Sequence, residues 1–315
     1  MGSKVSFKDI ERNIRKYISQ AKISRIGIAF SGGADSICLL HLLSKIHELQ
    51  IYALHCNFHL RGEESNRDEM HVRKICEQLN ISLQIIHFDV DEYLKKHPGE
   101  SLEMACRNLR YEWFFSQMET NSLHRITTGH NADDNIETFF LNAFRGCGSQ
   151  GLKGMEHDTG KIWRPLLCMH RTEILDYLNE NNIAYITDSS NLQSDFRRNF
   201  LRNDIIPLLR SRWRGFDKAM DSTIAHIYSE NKVIENLIKR LLPDEGKPLK
   251  TEIIIEFPNP ELLIRRYIQP LGPYTTTPSE IIDAIRANKP HIRRWSLRNG
   301  EVVLRNHALH LCLSK

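Results

Sequence analysis

The sequence predicts an α/β protein: a doubly wound, mostly parallel sheet, followed by a helical linker and a small C-terminal α+β domain. Three observations predict it. Short apolar, β-rich runs alternate with helical patterns from residue 25 to about 188. Polar stretches fall at the carboxyl ends of those runs, the place where open parallel sheets bind ligands. After Trp213-Arg214-Gly215 the alternation stops and a long helical pattern begins.

An amphipathic segment opens the chain. "RIGIAF" (25–30) then leads into a helical pattern over 34–48, "IYALHCNF" (51–58) into 64–79, and "LQIIHFDV" (83–90) into 101–119. "RITTGH" (125–130) precedes a helix over 132–144, and "AYITD" (184–188) follows a helical pattern at 171–180. Such βα repetition gives parallel strands covered on both faces. The stretches "SGGADS", "HCNFHLRGEES", "TGHNADD" and "DSSN" all sit at strand ends. A long helix is predicted over about 216–241, "LLPDEGKPLK" (241–250) reads as a linker, and Asn299-Gly300 between "RWSLR" and "EVVLR" is a two-residue hairpin signal. The expected division is a catalytic domain over 1–215 and a helical and small α+β region over 216–315.

With 315 residues, 41% of them hydrophobic, the chain can bury a large core and form more than one domain. The net charge of +4, from 43 Lys and Arg against 39 Asp and Glu, does not announce a nucleic-acid binder, so a basic surface has to be local. Seven scattered cysteines without a CxxC pair favour reduced thiols over disulfides or a zinc ribbon. The charged start lacks the apolar core of a secretion signal, and no run of eighteen apolar residues occurs. A cytoplasmic location with no membrane partner is expected.

The densest chemistry lies in Ser31, Gly32, Gly33, Ala34, Asp35 and Ser36. The two glycines allow a tight turn and close backbone approach, while Ser31 and Ser36 bring hydroxyls to a helix N-terminus. Absence of a GKS or GKT ending disfavours a Walker-type NTPase. Asp35 would repel a triphosphate unless a divalent cation lay between them, so Asp35 is expected to help hold Mg²⁺ on a pyrophosphate. The plainer alternative is a helix-capping aspartate.

Together with "LHCNFHLRGEESNRDE", "EMACRNLRYEWF", "TGHNADDNIETFFLNAFRGCGSQGL", "RPLL" and "DSSNLQSDFRRNFLRNDIIPLL", this corner resembles the PP-loop (N-type) ATP pyrophosphatases, and among them the tRNA(Ile)-lysidine synthetases. The matching stretches cover most of residues 25–210. The resemblance implies an adenine nucleotide alpha hydrolase-like fold and a carbon-nitrogen ligase that splits ATP to AMP and pyrophosphate. It further implies adenylation of the ring-2 carbonyl of the wobble cytidine in an isoleucine tRNA with a CAU anticodon. Free lysine then displaces AMP to give lysidine. A homodimer is compatible with this reading.

His130, Asp134 and Glu137 fall at i, i+4 and i+7, one helix face at a strand's carboxyl end. Two carboxylates there suit a lysine ammonium and its proton, because only the neutral amine is nucleophilic. A divalent metal site or solvated polar residues are the alternatives. By resemblance these three residues match lysine-binding or catalytic positions. Phe139, Phe140 and Phe144 on the same helix read as core.

In "CRNLRYEWF" a fork-shaped cation suits phosphate or developing negative charge. By resemblance Arg110 is catalytic, whereas Arg107 reads equally as a surface ion pair. His55, Asn57, His59 and Arg61 suggest a nucleotide-facing loop. Arg197, Arg198, Arg202, Arg210, Arg212 and Arg214 give a density of charge suited to a tRNA backbone, and the resemblance brings Arg202 to the active site as well. Arg293 and Arg294 in "HIRRWSLR" form a second basic patch, with Trp295 available for stacking.

A tRNA-thiolating PP-loop enzyme is the nearest rival, disfavoured because Cys147 stands alone where sulfur transfer needs a reactive cysteine or a CxxC-held cluster. Ammonia-transferring NAD or GMP synthetase-like enzymes leave the 197–214 arginines unexplained. A non-enzymatic tRNA-binding scaffold would bind tRNA yet release no pyrophosphate.

Overall fold

The computed structural model describes residues 7–186, 197–244, 246–272, 278–287 and 292–314. They fall into two compact units, divided between Ala225 and His226.

The first unit opens with α1 (Phe7–Gln20), whose four-residue spacing of Ile10, Ile14 and Ile18 buries one stripe. It continues through β1 (Arg25–Ala29), α2 (Ala34–Ser44), β2 (Gln50–Asn57), α3 (Glu63–Gln78) and β3 (Ser82–His87). Next come α4 (Val90–Lys96), α5 (Leu102–Thr120), β4 (Arg125–Thr127), α6 (Ala132–Phe144), α7 (Ser149–Leu152) and β5 (Ile162–Trp163). A 3₁₀ turn (Pro165–Cys168) leads into α8 (Arg171–Glu180). The helical end comprises α9 (Arg197–Phe200), a π turn (Leu201–Ile205), α10 (Ile206–Arg212) and α11 (Phe216–Leu241).

All five strands run parallel in the order β3-β2-β1-β4-β5. Period-two alternation splits β2 between two cores: Ile51 and Ala53 join the cluster of α1, α2 and α8, whereas Leu54 joins Phe114, Leu123, Ile126 and Ile162. Helix α2 is buried almost all round, including Ile37, Cys38, Leu39, Leu40, Leu42 and Leu43, as expected for the helix that crosses the middle of such a sheet. A third cluster joins Ile136 of α6 to Leu201, Ile206 and Ile224, which anchors the arginine-rich helices against α6. The predicted α/β class, with its doubly wound parallel sheet, is the one observed.

In the second unit, the end of α11 is followed by β6 (Leu249–Lys250), α12 (Thr251–Glu256), α13 (Pro260–Tyr267) and a 3₁₀ turn (Gln269–Leu271). Helix α14 (Pro278–Arg286) then precedes β7 (Arg293–Leu297), β8 (Gly300–Arg305) and β9 (Ala308–Leu313). The antiparallel order is β6-β9-β8-β7, and the sheet shares a core with α12, α13 and α14 through Ile254, Leu263, Ile281, Val302 and Leu309.

Several details differ from the sequence expectation. "AYITD" is not a strand as far as it is described: Ile186 makes a single bridge to Gly33, and Thr187 and Asp188 lie outside the described residues, as does "DSSN". The fifth strand is instead Ile162–Trp163, too short to show a period. "LQIIHFDV" ends its strand at His87, because Asp89 caps α4 by accepting from the Glu92 amide. The hairpin lies one residue earlier than Asn299-Gly300: Leu297 pairs with Gly300, leaving Arg298 and Asn299 as the turn. Gly300 serves close strand approach, since a Cβ there would sit 2.1 Å from the Cys312 carbonyl oxygen. Part of the supposed linker, Leu249–Lys250, pairs with β9.

Candidate active site

Strand order reverses between β1 and β4, so the loops leaving these neighbours diverge and open a crevice at their carboxyl ends. Residues 30–36 leave β1 and residues 128–134 leave β4. The two loops touch: a Cβ on Gly129 would lie 3.1 Å from the Asp35 Cβ and 3.1 Å from the Ser36 amide nitrogen, so a larger residue would press the loops apart.

At the corner itself, Gly32 adopts a φ of +84° and Gly33 is the N-cap of α2, with no side chain capping the first turn. The Ser36 hydroxyl donates to the Gly33 carbonyl at 2.9 Å and accepts from the Gly32 amide at 3.2 Å. It thus holds the turn rigid from within. Ser31 Oγ accepts from the Gly33 amide at 3.4 Å. Behind the corner, buried His55 lies with Nδ1 2.9 Å from the Phe30 carbonyl, which can only accept, so Nδ1 carries the proton. Burial lowers the His55 pKa and keeps that imidazole neutral. His55 therefore braces the root of the turn, while Asn57 donates to Glu69 and His59 pairs with His87.

Asp35 accepts from Asn131 Nδ2 at 3.1 Å and from the Arg171 guanidinium. Burial raises its pKa, opposed by Arg171 and reinforced by nearby Asp134. Arg171, the first residue of α8, was not among the sequence candidates; only the basic residue at a helix start pointed to it. Among the described residues no three His, Cys, Asp or Glu side chains gather into a metal cage. Mg²⁺ does not require one, because it commonly takes one or two carboxylates and completes its shell with water and substrate phosphates. A single partly exposed aspartate beside a phosphate corner fits that donor chemistry.

His130 precedes α6 and shares a 2.7 Å hydrogen bond with Thr128 through Nδ1. Burial, assisted by the charges of Arg164, Arg198 and Arg107 and opposed by Asp134, pushes its pKa down to about 4. The imidazole is neutral at pH 7. Asn131 and Asp134 then form a capping box, each side chain taking the other's backbone amide at 3.0 Å.

The carboxylates of Asp134 and Glu137 face two arginines. Asp134 Oδ1 accepts from Arg198 and Arg202, each at 2.9 Å, and Glu137 accepts from Arg202 Nε at 2.6 Å and from Arg198 Nε at 2.7 Å. The Glu137 side chain is 1% exposed and both arginines 36%. Burial alone would lower the Arg202 pKa, but Glu137 and Asp134 outweigh it and raise it. A metal held by His130, Asp134 and Glu137 would have to displace these guanidiniums. Arg197 is exposed beside them.

Arg110 lies over the Phe58 ring at 5.4 Å, and Arg107 over Tyr111 at 4.9 Å. The charge of Arg107 reaches His130. Arg164, at the carboxyl end of β5, joins it there. Its NH1 donates to the Glu156 carbonyl at 2.6 Å, yet its buried Nε finds no acceptor among the described residues, and burial followed by Arg107 lowers its pKa. The "RPLL" stretch carried this residue, without spacing that would reveal a role.

Beside the site, Asp133 binds the Arg171 amide and the Arg210 guanidinium. Burial raises the Asp133 pKa, but His170, Arg171 and Arg210 outweigh it and hold the carboxyl well below the usual range. His170 lies 3.4 Å from Asp133 and 2.9 Å from Asp221, and these two carboxylates push its pKa up to about 10. The thiols of Cys56 and Cys76 are pushed up by burial, to about 12 and about 11, which makes them poor nucleophiles. Phe144, read as core, is 73% exposed, since α6 turns that position away from the cluster holding Phe139 and Phe140. In the second unit Arg293 and Arg294 are exposed, Arg294 paired with Glu301 at 3.0 Å, while Trp295 packs on the small core.

The chain is 37% identical to a tRNA(Ile)-lysidine synthase of Bacteroides thetaiotaomicron over 84% of its own length and 63% of that protein's. It is 35% identical to a tRNA(Ile)-lysidine synthase of Parabacteroides distasonis over 88% of its length and again 63% of the relative's. The chain thus spans less than two thirds of the length of these relatives. Among solved structures, a U34-tRNA thiolase of Methanococcus maripaludis, determined with its [4Fe-4S] cluster, superposes with a TM-score of 0.56 at 21% identity, covering 70% of this chain and 79% of the other. That likeness concerns the fold. Residues 7–209 match the family model described as the PP-loop domain, a span that takes in the whole parallel sheet and the corner at Ser31–Ser36, and the chain belongs to that family.

Proposed function

We propose that this chain uses ATP to join free lysine to the wobble cytidine of an isoleucine tRNA with a CAU anticodon. The observation that carries the reading is the meeting of the two loops at the strand-order switch. The phosphate corner, through Asp35, and the acidic helix α6, through Asn131, share one crevice. The names of the relatives supply the nucleic-acid substrate for this reading.

In the first step the cytidine ring-2 oxygen attacks the α-phosphorus of ATP, forming a P–O bond as the bond to pyrophosphate breaks. The α2 first-turn amides and the Ser31 hydroxyl hold the departing pyrophosphate, whose negative charge the helix dipole favours. Asp35 would hold Mg²⁺, which would neutralise charge on the phosphates. Neutral His130, flanked by Arg107 and Arg164, lines the wall where the adenylated ring would lie. In the second step the neutral lysine amine attacks ring carbon 2, AMP leaves with the carbon-oxygen electron pair, and the amine proton passes to a carboxylate of the Asp134 and Glu137 pair. Arg110, resting on Phe58, is assigned to the negative charge that develops during adenylation, while exposed Arg197 is assigned to the approaching RNA, as are Arg293 and Arg294 of the second unit.

Nucleoside mass spectrometry tests this directly. The full chain with ATP, Mg²⁺, lysine and the CAU tRNA is expected to yield lysidine and equimolar AMP and pyrophosphate, with no adduct when any substrate is omitted. Release of pyrophosphate with tRNA but no lysine-dependent adduct would contradict the assigned acceptor.

A further inference from the structure

Resting on the lysine-site reading above, we infer that Arg198 occupies the position of the substrate ammonium and must leave it for lysine to bind, which couples lysine affinity to RNA binding.

Every oxygen of the two carboxylates is already used. Asp134 Oδ2 accepts from the Asn131 amide at 3.0 Å, and its Oδ1 from both arginines. Glu137 Oε1 accepts from Arg202 Nε at 2.6 Å, and its Oε2 from Arg198 Nε at 2.7 Å and from Arg202 NH2 at 3.0 Å. Two carboxylates balance two guanidiniums, and the neighbouring Asp35 is matched by its own partner, Arg171. An added ammonium would set three cations against two anions around a glutamate that is 1% exposed, where screening is weak. Exchange of one guanidinium for the ammonium restores the balance.

Arg198 is the one to leave. It makes two hydrogen bonds to the pair, whereas Arg202 makes three. Arg202 also sits in the π turn whose Leu201 and Ile205 pack into the cluster around Ile136. Arg198 lies on the four-residue α9, between exposed Arg197 and a helix end marked by exposed Phe200. A released guanidinium needs an anion, and a phosphate oxygen pair matches its fork. An RNA backbone drawn to Arg197 would offer one next door. Because coupling is reciprocal, RNA that takes Arg198 favours lysine, and lysine that displaces Arg198 favours RNA.

The test is calorimetric titration of lysine into the full chain without ATP, alone and at saturating CAU tRNA, at one ionic strength. In the parent, tRNA is expected to tighten lysine binding by about fivefold or more. Arg198→Ala is expected to bind lysine without tRNA about as tightly as the parent does with it, and to gain less than about twofold from tRNA. Arg198→Gln, which keeps the side chain's bulk, provides the same readout if the alanine variant unfolds, with thermal melting as the control. Equal lysine affinity with and without tRNA in the parent overturns the coupling, as does weaker binding in a folded Arg198 variant. Failure of every form to bind lysine, even with tRNA and a non-hydrolysable ATP analogue, overturns the lysine-site reading itself.

Discussion

Asn131 donates to Asp35 across 3.1 Å although 96 positions separate them in the chain, and this bond joins the start of α6 to the start of α2. Asn131 also caps α6 by accepting from the Asp134 amide. Asn131→Ala is expected to lower stability by about 1–2 kcal/mol, the cost of a lost cap, and to slow pyrophosphate release beyond what the loss of folded protein explains. Urea unfolding beside a pyrophosphate assay checks it; unchanged release per folded molecule would argue against the link.

Loss of Glu137 leaves two guanidiniums on one carboxylate. Glu137→Ala is expected to destabilise the first unit by about 3 kcal/mol, since breaking a buried pair strands its partner charges. Adenylation should survive better than lysine transfer, read as pyrophosphate release against lysidine yield. Equal decline of the two half-reactions would remove the case for a role in lysine handling.

His170 gives an alkaline signature. Its pKa is raised to about 10 by Asp133 and Asp221, above its ordinary value, so its contribution to stability is fully present below about pH 6.5 and lost as pH rises through about 10. The stability gap between the parent and His170→Gln, from urea titrations at pH 6 and pH 10, is expected to shrink at the higher pH. A constant gap would show that the ion pairs contribute nothing.

His130 behaves in the opposite sense. With its pKa lowered to about 4, the folded state resists the proton, so stability contributed by neutral His130 falls as pH drops from about 6.5 toward 4. Arg164→Met removes one of the charges depressing it, and the imidazole pKa followed by NMR is expected to rise. Asp134→Asn removes the charge that supports protonation and should lower it. A value indifferent to both substitutions would place His130 outside this charge cluster.

Much of this architecture is legible in the sequence because local chemistry decides it. The helices at 132–144, 171–180 and 216–241 begin and end where their patterns do, and Ser31–Ser36 announces itself through glycines at a strand's end. Ile162–Trp163 does not, because two residues carry no period and strand pairing with β4 makes them a strand. The inward turn of Arg198 and Arg202 is likewise invisible in a run of arginines; burial of Glu137 decides it. Arg171 and Arg164 act across 136 and 34 positions, on Asp35 and on His130, through pairings set by the sheet order rather than by any nearby residue.

The central claim is that the turn after β1 holds the pyrophosphate part of ATP. Backbone amide NMR shifts of Gly32, Gly33, Ala34, Asp35 and Ser36, followed during titration with Mg²⁺ and pyrophosphate, test it most directly. The expected result is saturable shifts concentrated at these amides and sharply weakened in Asp35→Ala. Saturable shifts elsewhere in the chain, with these five amides unmoved, would contradict it.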